Sequence, residues 1–287
     1  MTLASTALWG IALFGVIGLI FGVALAATAN KFHVPSDPLI DDVNSSLPAA
    51  NCGACGFPGC SSYAEAVVTQ PDVSPALCIP GGQECVDQLV ELTGKAATEI
   101  LPVVAVLNCH GTFEFAHSEA EYLGLQTCEA ASVVFGGAKS CKHGCLGLGD
   151  CERICPFDAI HVNAQGITET DFTKCTGCGK CVEICPKQVL QLLPRNHRVV
   201  MSCSTRERGA KVKKICSVGC ISCKKCIKAC PAGAVSWDGR IVVDHDKCIA
   251  YGPGCNEACV ESCMTGIFHR RGHFSAKTKP TSSEAAV

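Results

Sequence analysis

The chain has 287 residues, 25 of them Cys, with few aromatics at 6% and a net charge of −2. A chain this long can bury a core without cross-links, which excludes the small disulfide-stapled class and leaves metal ligation as the reading of its cysteines. The charge is uneven, because residues 1–194 hold 8 Lys/Arg against 19 Asp/Glu and residues 195–287 hold 16 against 7. A basic half of this kind can steer an acidic partner, or can offset the negative charge of metal-bound thiolates.

In chain order, residues 1–30 carry no charged side chain. The apolar run over residues 4–29 exceeds the roughly 20 residues needed to cross a bilayer. Ala24-Leu25-Ala26 resembles a signal-peptide cleavage site, but no positive segment precedes the run and the run is longer than such a peptide uses. Residues 1–30 are therefore expected to be a retained transmembrane anchor. Lys31 and His33 orient it only weakly, whereas free thiols in this number place the body in the reducing cytoplasm.

Residues 31–48, with Pro35, Pro38, Ser45, Ser46 and Pro48, have the composition of a linker. A first Cys domain follows over 49–97, with helices expected at 61–68 and 85–93. A β-type run over 101–107 ends at Cys109 and opens a module spanning 98–195. A second module spans 196–272, and the polar residues 273–287 are expected to be disordered.

The two modules read as repeats. Each has a β-type run ending in Cys, VLNC at Cys109 and VMSC at Cys203. Each has a pair of Cys with twelve residues between them, Cys128/Cys141 and Cys203/Cys216. Each continues through Cys-x3-Cys to a Cys-x3-Cys-Pro, at Cys151/Cys155-Pro156 and Cys226/Cys230-Pro231. The expected fold class is α+β: one transmembrane helix, a small helical iron–sulfur domain and two pseudo-repeated, bacterial-ferredoxin-like two-cluster modules.

Cys175-x2-Cys178-x2-Cys181-x3-Cys185-Pro186 is a full bacterial ferredoxin run, and Cys220-x2-Cys223-x2-Cys226-x3-Cys230-Pro231 is a second. Three closely spaced thiolates wrap one corner of a 4Fe–4S cubane through a tight loop, eased here by Gly177 and Gly179. The fourth Cys serves the neighbouring cluster, and the Pro after it is expected to start a helix. Zinc ribbons also use Cys-x2-Cys pairs but do not call for this compressed run ending in Pro.

Cross-ligation then places Cys155 with Cys175, Cys178 and Cys181. Cys185 joins Cys151 and either Cys141 or Cys145. Cys263 joins Cys220, Cys223 and Cys226, while Cys230 joins Cys248, Cys255 and Cys259. That last run carries an insertion over residues 249–254, expected as a longer loop, and Met264 where Pro would stand. Nearer the N-terminus, Cys52, Cys55, Cys60 and Cys78 lie in and after the glycine-laced NCGACGFPGC, a strong cluster signal. At least five 4Fe–4S clusters are expected. Cys85, Cys109, Cys128, Cys203 and one or two thiols near Cys141 and Cys216 remain, enough for a sixth cluster or for inert buried thiols.

Gly147-x-Gly149 follows no strand and is no dinucleotide site, and neither a P-loop nor a catalytic triad occurs. His110, His143 and His161 are isolated. No catalytic residue is expected; the chain relays electrons.

Taken together, the apolar helix, NCGACGFPGC with Cys78, GGAKSCKHGCLGLGDCERICPFDAI, KCTGCGKCVEICP and GCISCKKCIKACP resemble the B-subunit family of the Rnf electron transport complex, a ferredoxin:NAD⁺ oxidoreductase. The match runs to about Phe274. The resemblance implies a translocase complex in the bacterial inner membrane that couples electron flow to Na⁺ or H⁺ transport. It implies a single-pass subunit with cluster domains on the cytoplasmic side, which accepts electrons from soluble ferredoxin and relays them to the other subunits. Flavins and the NADH site would lie on those subunits, and no nucleic acid is involved. Cys52, Cys55, Cys60 and Cys78 would then face the membrane subunits. Lys211, Lys213, Lys214, Lys224, Lys225 and Lys228 would form the ferredoxin-docking face.

Overall fold

The uncharged N-terminal stretch forms helix α1 (Leu3–Lys31), whose segment Trp9–Thr28 is long and apolar enough to cross a membrane and is not buried by any of the described residues. The computed structural model describes residues 3–31 and 37–271; the expected disordered tail lies outside them.

Helix α2 (Pro38–Ser46) stands where a linker is expected. Asp37 caps it by accepting the Leu39 N–H at 3.0 Å, and Pro38 takes the first helical position, where a missing N–H costs nothing. Ser45 and Ser46 bond back to the Asp42 carbonyl. Residues that read as linker composition are thus cap and helix-end chemistry. Val43 and Leu47 are buried against Tyr63 and Val67 of α3 (Cys60–Thr69) and Leu89 of α4 (Gly82–Thr93). The small helical domain therefore begins at about residue 37 rather than 49.

The chain continues through β1 (Val103–Leu107), α5 (Cys128–Val133), α6 (Asp150–Arg153), β2 (Ile160–Val162), β3 (Thr168–Thr170), α7 (Lys180–Glu183) and β4 (Leu190–Pro194). Then come β5 (Val199–Met201), α8 (Gly209–Ile215), α9 (Lys225–Ala229), β6 (Val235–Trp237), β7 (Ile241–Val243), α10 (His245–Tyr251), α11 (Ala258–Glu261) and β8 (Phe268–Arg270). Four antiparallel pairs result: β1 with β4, β2 with β3, β5 with β8 and β6 with β7. In the outer pairs the ends of a segment meet, with Leu107 opposite Leu190 and Met201 opposite Phe268. Each pair backs a small apolar core in which cysteines lie among Val, Ile and Leu.

The short helices sit before the Cys-Pro steps rather than after them. Cys181 lies in α7, which ends ahead of Cys185-Pro186, and α9 ends ahead of Cys230-Pro231. A residue before Pro is pushed out of the helical region, so each Cys-Pro step closes a helix here, and a turn follows it. The insertion at 249–254 is also more ordered than a loop. Asp244 caps α10 by accepting the Lys247 N–H at 3.1 Å, so residues 249–251 finish a helix and Pro253–Cys255 forms a 3₁₀ turn. Arg198 clamps this turn through the Gly252 carbonyl and the Glu257 carboxylate.

The two sheet-bearing halves touch along a second line of pairing. Cys109 bridges antiparallel to Cys203, and Ala116 to Cys216. The His117 N–H donates to the Ile215 carbonyl at 3.0 Å and the Ser217 N–H to the Phe115 carbonyl at 2.9 Å. The His110 and His269 rings stack with centroids 5.2 Å apart. This seam brings cysteines from distant parts of the chain face to face.

Candidate metal centres

The ligand loops are built on left-handed residues. Gly177 and Gly179 have φ of +75° and +81°, which turn the chain so that Cys175, Cys178 and Cys181 face one centre. A Cβ on Gly177 would also lie 2.6 Å from the Val103 carbonyl oxygen, so no other residue fits. In the later run the same two positions are Ser222 and Lys224, both at φ +58°, a conformation that costs a non-glycine residue roughly 1–2 kcal/mol.

Four cavities are each lined by four cysteines. One holds Cys155, Cys175, Cys178 and Cys181. Another holds Cys230, Cys248, Cys255 and Cys259. Both sets are those expected from cross-ligation. A third holds Cys128, Cys145, Cys151 and Cys185. Of the alternatives Cys141 and Cys145, it is Cys145 that lies here, and the fourth thiol comes from α5. The fourth cavity takes Cys141 with Cys109, Cys203 and Cys216, and it lies on the seam between the halves.

Two further groups are marked by thiols crowding one another. Burial, then Cys263 and Cys220, pushes the Cys226 thiol up to about 12, and Cys220 in turn faces Cys263 and Cys223. In the small domain Cys55 faces Cys78 and Cys52, while Cys85 bonds to Cys78 and faces Cys60. Five thiols therefore share that place, and every cysteine of the chain belongs to one of six groups.

These groups fit iron–sulfur cubanes better than single ions. A zinc ion holds its sulfurs at about 2.3 Å and so draws four of them tightly together. Among the described residues no three Cys, His, Asp or Glu side chains stand that close. The four cavities each present four thiols from loops of ferredoxin spacing or from facing segments, and backbone N–H groups point at cysteine sulfurs, as the sulfurs of a cubane site require. Ala105 donates to Cys175 at 3.4 Å, Ala159 to Cys155 at 3.4 Å, and both Gly111 and Cys145 to Cys109 at 3.3 Å. Burial holds the Cys145 and Cys181 thiols up at about 12 and Cys216 at about 11, so metal must displace protons to bind.

Sequence reasoning left Cys85, Cys109, Cys128, Cys203 and Cys216 unassigned and the choice between Cys141 and Cys145 open. One signal for Cys128 was present. Cys145-x5-Cys151 aligns with Cys220-x2-Cys223-x2-Cys226, and Leu148 stands where Cys223 does, so one thiol had to come from outside the run.

Comparison with known proteins agrees with this chemistry. An iron–sulfur cluster family model matches residues 47–80, a 4Fe-4S dicluster domain matches 174–234, and an LdpA Fe-S cluster-binding domain matches 150–193. The chain is 44% identical over 253 residues to the B subunit of the proton-translocating ferredoxin:NAD(+) oxidoreductase complex of Clostridium ljungdahlii, covering 88% of each protein. It is 39% identical to the Na(+)-translocating counterpart of Acetobacterium woodii, covering 89% of this chain and 77% of that one. It is 37% identical to the B subunit of the ion-translocating oxidoreductase complex of Methanosarcina acetivorans, covering 91% and 97%.

Proposed function

Because the chain belongs to the B-subunit family of ion-translocating ferredoxin:NAD(+) oxidoreductase complexes, we propose that its cysteines hold six 4Fe–4S clusters in one unbranched series from a ferredoxin-docking face to the membrane. The chain is an iron–sulfur electron-transfer subunit of such a complex. When bound, each cluster takes up and returns one electron.

The body reads as two ferredoxin-like modules joined by a pseudo-twofold seam. Their matching order of strand, hairpin and closing strand supports this, as does Cys109 lying opposite Cys203. The series follows from shared segments. Cys226 and Cys230, one turn apart across α9, link the two sets of the second module. The Cys220 N–H bonds to the Cys203 sulfur at 3.4 Å, and the Cys145 N–H bonds to the Cys109 sulfur at 3.3 Å. Cys151 and Cys155 link the two sets of the first module across α6. Cys178, finally, lies within electrostatic reach of Cys52 in the small domain next to the anchor.

Electrons enter through the second module, where Cys223 is the one exposed cysteine and Lys211, Lys213, Lys214, Lys224, Lys225 and Lys228 are exposed. That surface suits an acidic ferredoxin. They leave from Cys52, Cys55, Cys60 and Cys78, in the domain that follows the apolar helix in the chain, with the body on the cytoplasmic side where its thiols stay reduced.

The observation that carries this reading is the seam cavity, to which each half contributes two sulfurs. Anaerobic iron and sulfide analysis tests it. The wild-type chain should hold about 24 iron atoms and a Cys109→Ser, Cys203→Ser variant about 20, taking four irons per cluster. About 20 in both would reduce the series to five clusters with a gap at the seam.

A further inference from the structure

Lys139 is only 3% exposed. It lines the seam cavity with Cys109, Cys141, Cys203 and Cys216. Its ammonium donates to the carbonyls of Gly111 at 2.7 Å and Gly166 at 3.2 Å, and lies 5.3 Å from the centroid of the Phe113 ring. None of the ion pairs among the described residues involves it. Two carbonyls and a ring face satisfy its donors but leave its charge uncompensated, and a buried charge without an opposite charge is unstable. What surrounds it is sulfur: its positive charge opposes the burial that raises the Cys141, Cys145 and Cys216 thiols.

We propose that Lys139 is the built-in counter-charge of the cluster held at the seam, and that it raises the reduction potential of that cluster above those of its neighbours in the series. The inference rests on the six-cluster reading.

Taking up an electron adds one negative charge to a cluster with no change of bonding. A fixed positive charge nearby therefore favours the reduced state, most strongly where water cannot screen it. Lys180 and Lys187, which border the two cavities of the first module, are partly exposed, so solvent weakens their effect. The amide donors act in the same sense as Lys139: the Cys109 sulfur accepts two and the Cys203 sulfur one. The seam is then where electrons settle first, a reservoir that keeps both modules supplied.

The test is a reductive titration of the full chain followed by EPR, with iron analysis alongside, for wild type, Cys216→Ser, Lys139→Gln and Lys139→Arg. Cys216→Ser should lose about four irons, and the signal it removes identifies the seam cluster. Lys139→Gln keeps donors for the two carbonyls but no charge. With iron unchanged, it should lower the ratio of reduced to oxidised seam cluster about tenfold at the wild-type midpoint, a shift of about 59 mV to the negative for one electron. Lys139→Arg should return the midpoint towards wild type. Should Lys139→Gln lose the seam irons, the proposal stands only if Lys139→Arg retains them, since charge and not shape is then what the cluster needs; loss in both overturns it. Full iron with an unmoved midpoint in Lys139→Gln also overturns it. If Cys216→Ser costs neither iron nor signal, the six-cluster reading itself has failed and the counter-charge goes with it, a result visible without touching Lys139.

Discussion

The backbone N–H of Cys145 donates to the sulfur of Cys109 at 3.3 Å, and the N–H of Cys220 donates to the sulfur of Cys203 at 3.4 Å. Cys145 and Cys220 occupy equivalent places in their halves, each four residues after a cysteine that lines the seam cavity, Cys141 and Cys216. In each half an amide-to-sulfur bond thus ties a seam sulfur to a cysteine of the neighbouring set, and in the proposed series this is the path between the halves.

Breaking that path should divide the subunit. In a Cys109→Ser, Cys203→Ser chain, reduced ferredoxin should still bleach the second module quickly, while the first module and the small domain stay oxidised on that timescale. Rapid-mixing absorbance, with EPR of frozen samples, separates the two populations. Equal reduction of all clusters at the wild-type rate would mean that electrons have another way across.

Cys128 and Cys85 both fall outside the ferredoxin runs, yet they should behave differently. Cys128 completes a set of four with Cys145, Cys151 and Cys185, whereas Cys85 is a fifth thiol beside Cys52, Cys55, Cys60 and Cys78. Cys128→Ser should cost about four irons per chain and Cys85→Ser none, by anaerobic iron analysis. The reverse pattern would show that α5 does not serve that centre.

Ser222 holds a left-handed conformation in the loop where the first module uses Gly177. Ser222→Gly should relieve about 1 kcal/mol of backbone strain, reduced a little by the extra freedom of glycine in the unfolded chain. The expected result is a higher temperature of thermal bleaching. A lower one would mean that the Ser222 hydroxyl, which bonds to the Glu207 carbonyl at 3.5 Å, matters more than the strain.

Lys224 stands over the Trp237 ring with its ammonium 4.7 Å from the centroid, in the segment that carries the exposed Cys223. Reversing charge at Lys224 and Lys225 should slow reduction by ferredoxin at low salt and flatten the dependence of that rate on ionic strength, with iron content unchanged. A rate and salt dependence equal to wild type would move the docking face elsewhere.

The sequence by itself determined whatever depends on short spacing. Cys175, Cys178 and Cys181 lie within seven residues of one another, so a single loop of fixed geometry brings them together wherever it sits in the fold. The same holds for Cys220, Cys223 and Cys226, for NCGACGFPGC, and for an uncharged run long enough to span a bilayer. Cross-ligation extends the reach by a few residues, which is why Cys155 and Cys230 could be placed with their distant partners.

Only the tertiary structure decided the rest. Cys109, Cys141, Cys203 and Cys216 come from four separate segments, and no spacing marks them as a set; pairing of Cys109 with Cys203 and of Ala116 with Cys216 across the seam brings them to one cavity. Cys128 reaches its centre because α5 folds onto the first module, and α2 is a helix because the small domain offers an apolar groove to Val43 and Leu47. The physical reason is the same in each case. A ligand loop is a local geometry set by φ and ψ, but a site shared between distant segments exists only once long-range strand pairing and burial have brought them together.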